Sequence, residues 1–292
     1  MKSFQFITKE PVCKGWSGDQ KYRVATADGA QYLLRIAPKA KGSRLSDMFR
    51  VQQQLAPLGI PMCQPVAIEE HPDGTYLLQT WIEGCDAEDV IPSLSDAEQY
   101  AYGLTAGQIL QKIHSLPAPA SLPDWATRFN AKIDRKIKLY QACPIEFEGA
   151  PQLLSYIQAN RPLLSGRPQC LQHGDYHIGN MMIENHQLII IDFDRFDFGD
   201  PWEEFNRIVW SAQAAPSFAS GMVDGYFAGP VPLLFWQLLA LYISSNTLSS
   251  IAWAVSYGDQ EIATMRKQAH DVLSWYHDMQ TPIPSWYRPR TT

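Results

Sequence analysis

Two carboxylates and one amide stand in a telling order in the second half of the chain. In Leu171-Gln172-His173-Gly174-Asp175-Tyr176-His177-Ile178-Gly179-Asn180, Asp175 and Asn180 are five positions apart. Met181-Met182-Ile183 then reads as a strand, Glu184-Asn185-His186 as a turn, and Leu188 to Ile191 as an apolar strand ending at Asp192. Paired as a hairpin, these strands bring Asn180 and Asp192 to the same end. Hard oxygen donors of this kind suit Mg²⁺ on nucleotide phosphates, and a separate carboxylate can orient an attacking hydroxyl and take its proton. The D-x-x-x-x-N spacing, followed by an apolar strand and Asp192-Phe193, points to phosphoryl transfer. A competing arrangement makes His173, Asp175 and His177 the ligands of a hydrolase metal. It leaves Asn180 and Asp192 without a role.

The elements that would position these residues are legible as two regions. Lys21 to Thr26 and Gln31 to Ile36 read as strands joined at Asp28-Gly29. From Leu45 to Leu58 the apolar residues Met48, Val51, Leu55 and Leu58 recur at helical spacing, and Pro61 and Pro65 end the pattern. A second strand pair brackets Pro72-Asp73-Gly74, with Thr75 to Ile82 as its later member. After Glu83-Gly84 the character changes. Ser95-Asp96-Ala97-Glu98 is a capping box opening a helix through Ile113, another amphipathic helix covers Arg128 to Tyr140, and the last third is helical and rich in aromatics. Those aromatics, Trp202, Trp210, Trp236, Tyr242 and Trp253 among them, are expected mostly in the core.

Composition narrows the function classes. The 292 residues are 46% hydrophobic and 18% charged, which suits a folded chain. The net charge is −6 with no basic block, so no nucleic-acid partner is expected. Five scattered cysteines without a C-x-x-C pair read as buried small hydrophobes in a reducing compartment. The N-terminus has no apolar signal core. The most apolar stretch, Pro232 to Ile243, falls short of the roughly 20 residues that a bilayer needs. A buried core helix, a cytoplasmic location, no membrane and no obligate protein partner are therefore expected.

With these segments in hand, the sequence resembles the aminoglycoside phosphotransferase family, relatives of the protein kinases. The family pattern is H-G-D-x-x-x-x-N, then I-D-F or I-D-L, then G-D-P-x-x-D. Its counterparts here are His173 to Asn180, Ile191-Asp192-Phe193 and Gly199-Asp200-Pro201-Trp202-Glu203-Glu204. The resemblance implies an α+β, two-lobed protein-kinase-like fold with a small antiparallel-sheet N-lobe and a larger helical C-lobe. The lobes would occupy residues 1–80 and 85–292, joined by a hinge at 81–84. It implies Asp175 as catalytic base, Asn180 and Asp192 as magnesium ligands, and His173, Asp200 and Glu204 as supports of the catalytic loop. ATP or GTP would donate its γ-phosphoryl group to a hydroxyl of a small molecule. An aminoglycoside-type antibiotic is the expected acceptor, which would make the protein a resistance enzyme. Kinases of choline, homoserine, methylthioribose or fructosamine type, and a nucleotide-binding pseudokinase, are the alternatives.

The first lobe departs from the pattern in places. Gly15, Ser17 and Gly18 would form the turn that covers phosphates, glycine allowing backbone N–H groups to approach. Arg35 stands where kinases place a phosphate-binding lysine, and arginine is not a neutral replacement. The following helix should present an acid to it, yet only Asp47 is at hand, beside Met48 and Phe49. A nucleotide base would lie near Trp81 and bond to backbone between Gln79 and Ile82. Asp194 follows Phe193 where kinases have glycine, and Glu204 replaces the last aspartate of the third motif.

Overall fold

The computed structural model describes residues 4–13 and 18–289. In chain order the elements are β1 (Phe6–Pro11), β2 (Gln20–Thr26), β3 (Gln31–Ala37), α1 (Gly42–Leu55), β4 (Pro65–His71), β5 (Gly74–Thr80), β6 (Cys85–Asp86) and the short α2 (Ala87–Val90). There follow α3 (Asp96–Ile113), α4 (Trp125–Gln141), α5 (Ala150–Asn160), β7 (Cys170–Gln172), β8 (Met181–Glu184), β9 (Gln187–Ile190) and β10 (Asp197–Gly199). The helices α6 (Ile208–Ala214), α7 (Pro216–Phe227), α8 (Leu233–Ala254) and α9 (Asp259–Trp275) complete the chain. They form two compact units. The first holds the chain through Val90 together with His173–Asp175 and Asn180–Phe196; the second holds Ile91–Gln172, Tyr176–Gly179 and the chain from Asp197 onward.

The first unit is built on an antiparallel sheet of order β1-β2-β3-β5-β4. The β2–β3 hairpin turns at Asp28-Gly29, where Gly29 takes φ +86 and the Thr26 hydroxyl donates to the Asp28 carboxylate. One sheet face buries Val24, Leu34, Ile36 and Leu78 beneath Tyr22, Tyr32 and Tyr76. Against β4 and β5 packs α1, which buries Leu45, Met48, Val51 and Leu55 along one stripe. A smaller sheet of order β6-β8-β9 contains the expected hairpin, with Met181 opposite Ile190 and Met182 opposite Ile189. The Ile190 N–H donates to the Pro61 carbonyl at 2.8 Å, fixing that hairpin to the segment after α1.

The second unit is helical. Ser95 and Glu98 cap α3 reciprocally, as the capping-box pattern predicts. Glycines bring α3 and α7 into backbone contact. A Cβ on Gly103 would stand 2.1 Å from the Phe218 carbonyl oxygen, and one on Gly107 would stand 2.2 Å from that of Met222. Gly221 and Gly225 return the same closeness to Tyr100 and Leu104. Because the obstructing atoms are backbone, no rotamer change relieves the clash. Gly107→Ala is expected to cost about 1–3 kcal/mol, as overpacking does, despite alanine's better helix propensity. Thermal melting of this variant beside the exposed-site control Gln108→Ala checks it; equal melting temperatures would contradict the close approach.

The most apolar segment is longer than its sequence suggests. Helix α8 runs 22 residues and continues through Ser244 and Ser245. The Ser244 hydroxyl donates to the Ala240 carbonyl at 2.7 Å, so it enters the core with its hydrogen bond made. By length and composition the segment could cross a membrane, but it is mostly buried inside the protein, with α4, α5 and α9 packed on it.

Two expectations about burial need correction. Only Cys170 is buried; Cys13 and Cys85 are exposed and Cys63 and Cys143 half-buried. Cys85 lies in β6, a two-residue strand at the margin of its sheet, too short to enclose it. Trp253 is 43% exposed and lies against Tyr257, whereas Ile251 and Ala254 on either side of it in the chain are buried with Met265. Trp236 and Tyr242 are buried as expected.

Candidate active site

The loop between β7 and β8 is shaped by backbone constraints around Asp175. Gly174 adopts φ +85, and a Cβ there would lie 1.9 Å from the Arg195 carbonyl oxygen, so glycine is required. His173 is fully buried. Its Nε2 lies 2.9 Å from the Ile191 carbonyl and its Nδ1 accepts the Asp175 backbone N–H at 3.3 Å. That pattern fits the neutral ring with its proton on Nε2, and Phe193 packs against it at 4.6 Å. The imidazole thus joins the start of the loop to the end of the hairpin.

Asn180 and Asp192 meet as the hairpin predicts. The Asn180 Nδ2 donates to the Asp175 carbonyl at 2.8 Å, and the Ile191 N–H donates to the Asn180 carbonyl at 3.0 Å. This commits the side-chain nitrogen to the loop and makes Oδ1 the atom a cation would take. Asp192 sits in the left-handed region at φ 65, an uncommon place for a residue with a Cβ and a frequent one at functional sites. Desolvation by the surrounding protein, and then the neighbouring Asp194 carboxylate, pushes the Asp192 carboxyl above its ordinary range; Arg35 and Lys21 pull the other way. An amide oxygen beside a solvent-accessible carboxylate that is itself crowded by a second carboxylate fits a hard divalent cation. By contrast, no group of three His, Cys, Asp or Glu side chains among the described residues is arranged to hold a metal. The His173-Asp175-His177 alternative therefore has no geometric support. The His177 Nδ1 accepts the Gly179 N–H at 3.1 Å instead.

Arg35 is engaged on both sides by carboxylates. Its side chain is 5% exposed, and one terminal nitrogen donates to Asp19 and to Asp194, each at 2.6 Å. Burial works against the charged guanidinium, but the two carboxylates outweigh it and hold the group more firmly protonated than usual. Asp194 in turn is kept below the ordinary carboxylate range, Arg35 overcoming the effect of burial. The acid expected from α1 is not used: Asp47 pairs with Arg50 at 3.0 Å, both well exposed. The helix supplies Met48, 3.6 Å from Arg35, and Arg44, which donates to the carbonyls of Asp194 and Phe196 at 3.0 and 2.6 Å. The residue in the glycine position of the Asp-Phe-Gly pattern thus provides the counter-charge. Its partner Asp19 directly follows Gly18 in the chain. Arg195, 56% exposed, brings a second guanidinium within 3.5 Å of the Asp175 carboxylate.

The remaining nucleotide-side positions divide. Gly15 and Ser17 lie outside the described residues. Gly18 has φ +70, and the Lys41 ammonium is 3.2 Å from where its Cβ would stand. Gln79 is buried with its side chain bonded to Gln52 at 2.9 Å. Trp81 bonds through its indole to Glu83 at 3.1 Å beneath the Arg23 guanidinium, and Ile82 is buried. The N–H groups of Thr80 and Trp81 already donate to the carbonyls of Gln64 and Gln31. A base reading this strand would therefore find its donor at Ile82 or beyond.

In the second unit, Asp200 is a fully buried hub. Arg167 grips it through two nitrogens at 2.7 and 2.9 Å, and the Tyr242 hydroxyl donates to it at 2.6 Å. The Asp200 carbonyl accepts the Gln172 amide at 2.8 Å, and Gln172 immediately precedes His173 in the chain. Glu203 also takes the Gln172 amide, at 3.1 Å, and is paired with Lys132 at 3.0 Å. Glu204 is buried with an oxygen 3.8 Å from the His114 Nε2. The expected support Glu204 is thus joined by its neighbour Glu203, and adjacent glutamates carry no sequence signal that separates their roles. Tyr176, by donating to the Ala106 carbonyl at 2.7 Å, and Ile178, by donating its N–H to Ser211 at 3.0 Å, anchor the middle of the loop.

Comparison with known proteins agrees with this layout. A family profile described as "Phosphotransferase enzyme family" matches residues 10–236. Among solved structures, the aminoglycoside phosphotransferase APH(4)-Ia superposes with a TM-score of 0.70 at 17% identity, covering 93% of this chain and 95% of that one. The amicoumacin kinase hAmiN, in complex with AMP-PNP, Ca²⁺ and Ami, gives 0.67 at 15% identity, with 96% and 92% covered. A putative fructosamine-3-kinase from Haemophilus somnus 129PT gives 0.65 at 12% identity, covering 92% of each chain. The fold is accordingly kinase-like. Among curated protein sequences, none matches the chain significantly.

Proposed function

Because the chain belongs to the phosphotransferase enzyme family, we propose that Asp175, Asn180 and Asp192 carry out transfer of a nucleoside triphosphate γ-phosphoryl group to a hydroxyl of a small molecule. The observation that supports this most is the Asn180–Asp175–Ile191 bonding, which holds one amide oxygen and the Asp192 carboxylate at the end of a single hairpin. Asn180 Oδ1 and the Asp192 carboxylate would hold Mg²⁺. The ion, when bound, neutralises charge on the phosphates. Asp175 orients the acceptor hydroxyl and takes its proton as the phosphoryl group arrives. Arg195 stands 3.5 Å from that carboxylate, while His173 and the Asp200–Gln172 contact fix the start of the loop. Gly18, with Gly15 and Ser17 before it in the chain, would contact the phosphates, and the base would lie near Trp81 and Ile82.

The acceptor we propose is an aminoglycoside-type antibiotic. Support comes from the structural relatives, one of which is a ternary complex of APH(4)-Ia with ADP and hygromycin B. The likeness to a putative fructosamine-3-kinase favours a metabolite as the second reading. Nucleotide consumption measured against a panel of aminoglycosides, macrolides, peptide antibiotics and amino-alcohol metabolites separates the two. Stimulation by one or more aminoglycosides is the expected result. Stimulation by a metabolite alone would transfer the assignment to that class, and no stimulation by any compound would remove the antibiotic reading.

A further inference from the structure

Within the second unit, helix α4 carries two lysines beside its apolar stripe. Trp125, Phe129 and Ile133 form that stripe and are buried, while Asp134, Arg135 and Lys138 are exposed. Lys132 and Lys136 are half-buried, and their four-residue spacing puts them on one side of the helix. The Lys132 ammonium donates to Glu203 Oε1 at 3.0 Å, and Glu203 Oε2 takes the Gln172 amide at 3.1 Å. Both oxygens of that carboxylate are thus engaged. Among the described residues, the partner of the Lys136 ammonium is the Asn246 amide oxygen on α8, a neutral group at 3.4 Å. Desolvation by the surrounding protein, and then repulsion from Lys132, pushes this ammonium down to about 7. Arg207 and Arg135 act in the same direction, and Glu203 opposes them. A lysine that merely snorkels keeps its ammonium in water; Lys136 turns its own towards a second helix, among like charges.

We propose that Lys136, with Lys132 and Asn246 beside it, binds the carboxylate or phosphate group of a small molecule. An ammonium has three N–H donors, and the bond to Asn246 uses one of those on Lys136. Asn246 has its oxygen turned to the lysine, which leaves Nδ2 as a neutral donor for the same anion. An anion placed there supplies the counter-charge that Glu203, with both oxygens engaged, does not give to Lys136. The occupant is a molecule other than the acceptor proposed above, because an aminoglycoside carries amines that these lysines repel. The site therefore goes beyond the phosphotransferase reading and does not depend on it.

The test titrates wild type, Lys136→Gln and Lys136→Arg with inorganic phosphate and with succinate, at constant ionic strength, in a calorimeter. Glutamine keeps a donor for Asn246 and removes an unbalanced charge, so the fold should survive the change. Wild type should bind at least one of the two anions saturably, and the tighter of them shows whether phosphate or carboxylate is the group recognised. Lys136→Gln should weaken that binding about 10- to 100-fold, the effect of one hydrogen bond to a charged group, and Lys136→Arg should retain most of it. Saturating anion should raise the melting temperature of wild type more than that of Lys136→Gln. Absence of saturable binding to wild type would overturn the proposal. Equal binding by wild type and Lys136→Gln would overturn it as well, since the anion would then be held elsewhere. Neither result bears on the phosphotransferase reading.

Discussion

Asp175→Asn is expected to lower turnover about 10²- to 10⁴-fold, the usual contribution of a positioned general base, with nucleotide affinity nearly unchanged. Asparagine keeps the shape of the side chain but cannot accept the hydroxyl proton. The loop should survive the change, because the Asn180 amide bonds the carbonyl of residue 175 and His173 Nδ1 bonds its N–H, both backbone atoms. The half-exposed contact with Arg195 is lost, and such pairs contribute little to stability. Steady-state rates, AMP-PNP titration and a melting curve on the same preparation check the three parts. Turnover within about threefold of wild type, far short of a general base's contribution, would remove Asp175 from the role of base.

Arg35→Met should produce the largest loss of stability. Methionine keeps the apolar contact with Met48, but it removes the guanidinium that the enclosed Asp19 and the partly buried Asp194 share. Breaking a buried ion pair from one side typically costs about 3–5 kcal/mol. In a protein of this size that is a fall in melting temperature on the order of 10 °C. Adding Asp194→Asn to Arg35→Met should restore part of it, since one unpaired charge is removed. A single variant that melts within about 2 °C of wild type would show that the cluster contributes little, because a full ion-pair loss predicts several times that shift.

The contrast between these residues explains what could be read from the sequence. The catalytic-loop spacing, the hairpin from Met181 to Ile190 and the Ser95–Glu98 capping box are all local. Each depends on residues a few positions apart, so periodicity and turn chemistry expose them. The partners of Arg35 are not local. Asp194 is 159 positions away and Asp19 is 16 away, and the helix expected to supply the acid supplies Arg44 instead. The departure at Asp194 was visible as a residue out of pattern, but its reason was not. Burial was legible only in outline: α8 absorbs Ser244 through a bond to the preceding turn, and of the cysteines Cys13 and Cys85 are exposed and Cys63 and Cys143 only half-buried. The glycine contacts between α3 and α7 were equally hidden, because a close approach of two helices needs both sequences and their crossing at once.

The central claim is that Asp175, Asn180 and Asp192 form a phosphoryl-transfer centre. Its most direct test follows the label of a γ-labelled nucleoside triphosphate in reactions of wild type and Asp175→Asn with the acceptor that most stimulates nucleotide consumption. The label is predicted to appear on an acceptor hydroxyl with wild type and to remain at background with the variant. Equal labelling by both proteins, or label released only as inorganic phosphate whatever the acceptor, would contradict the account.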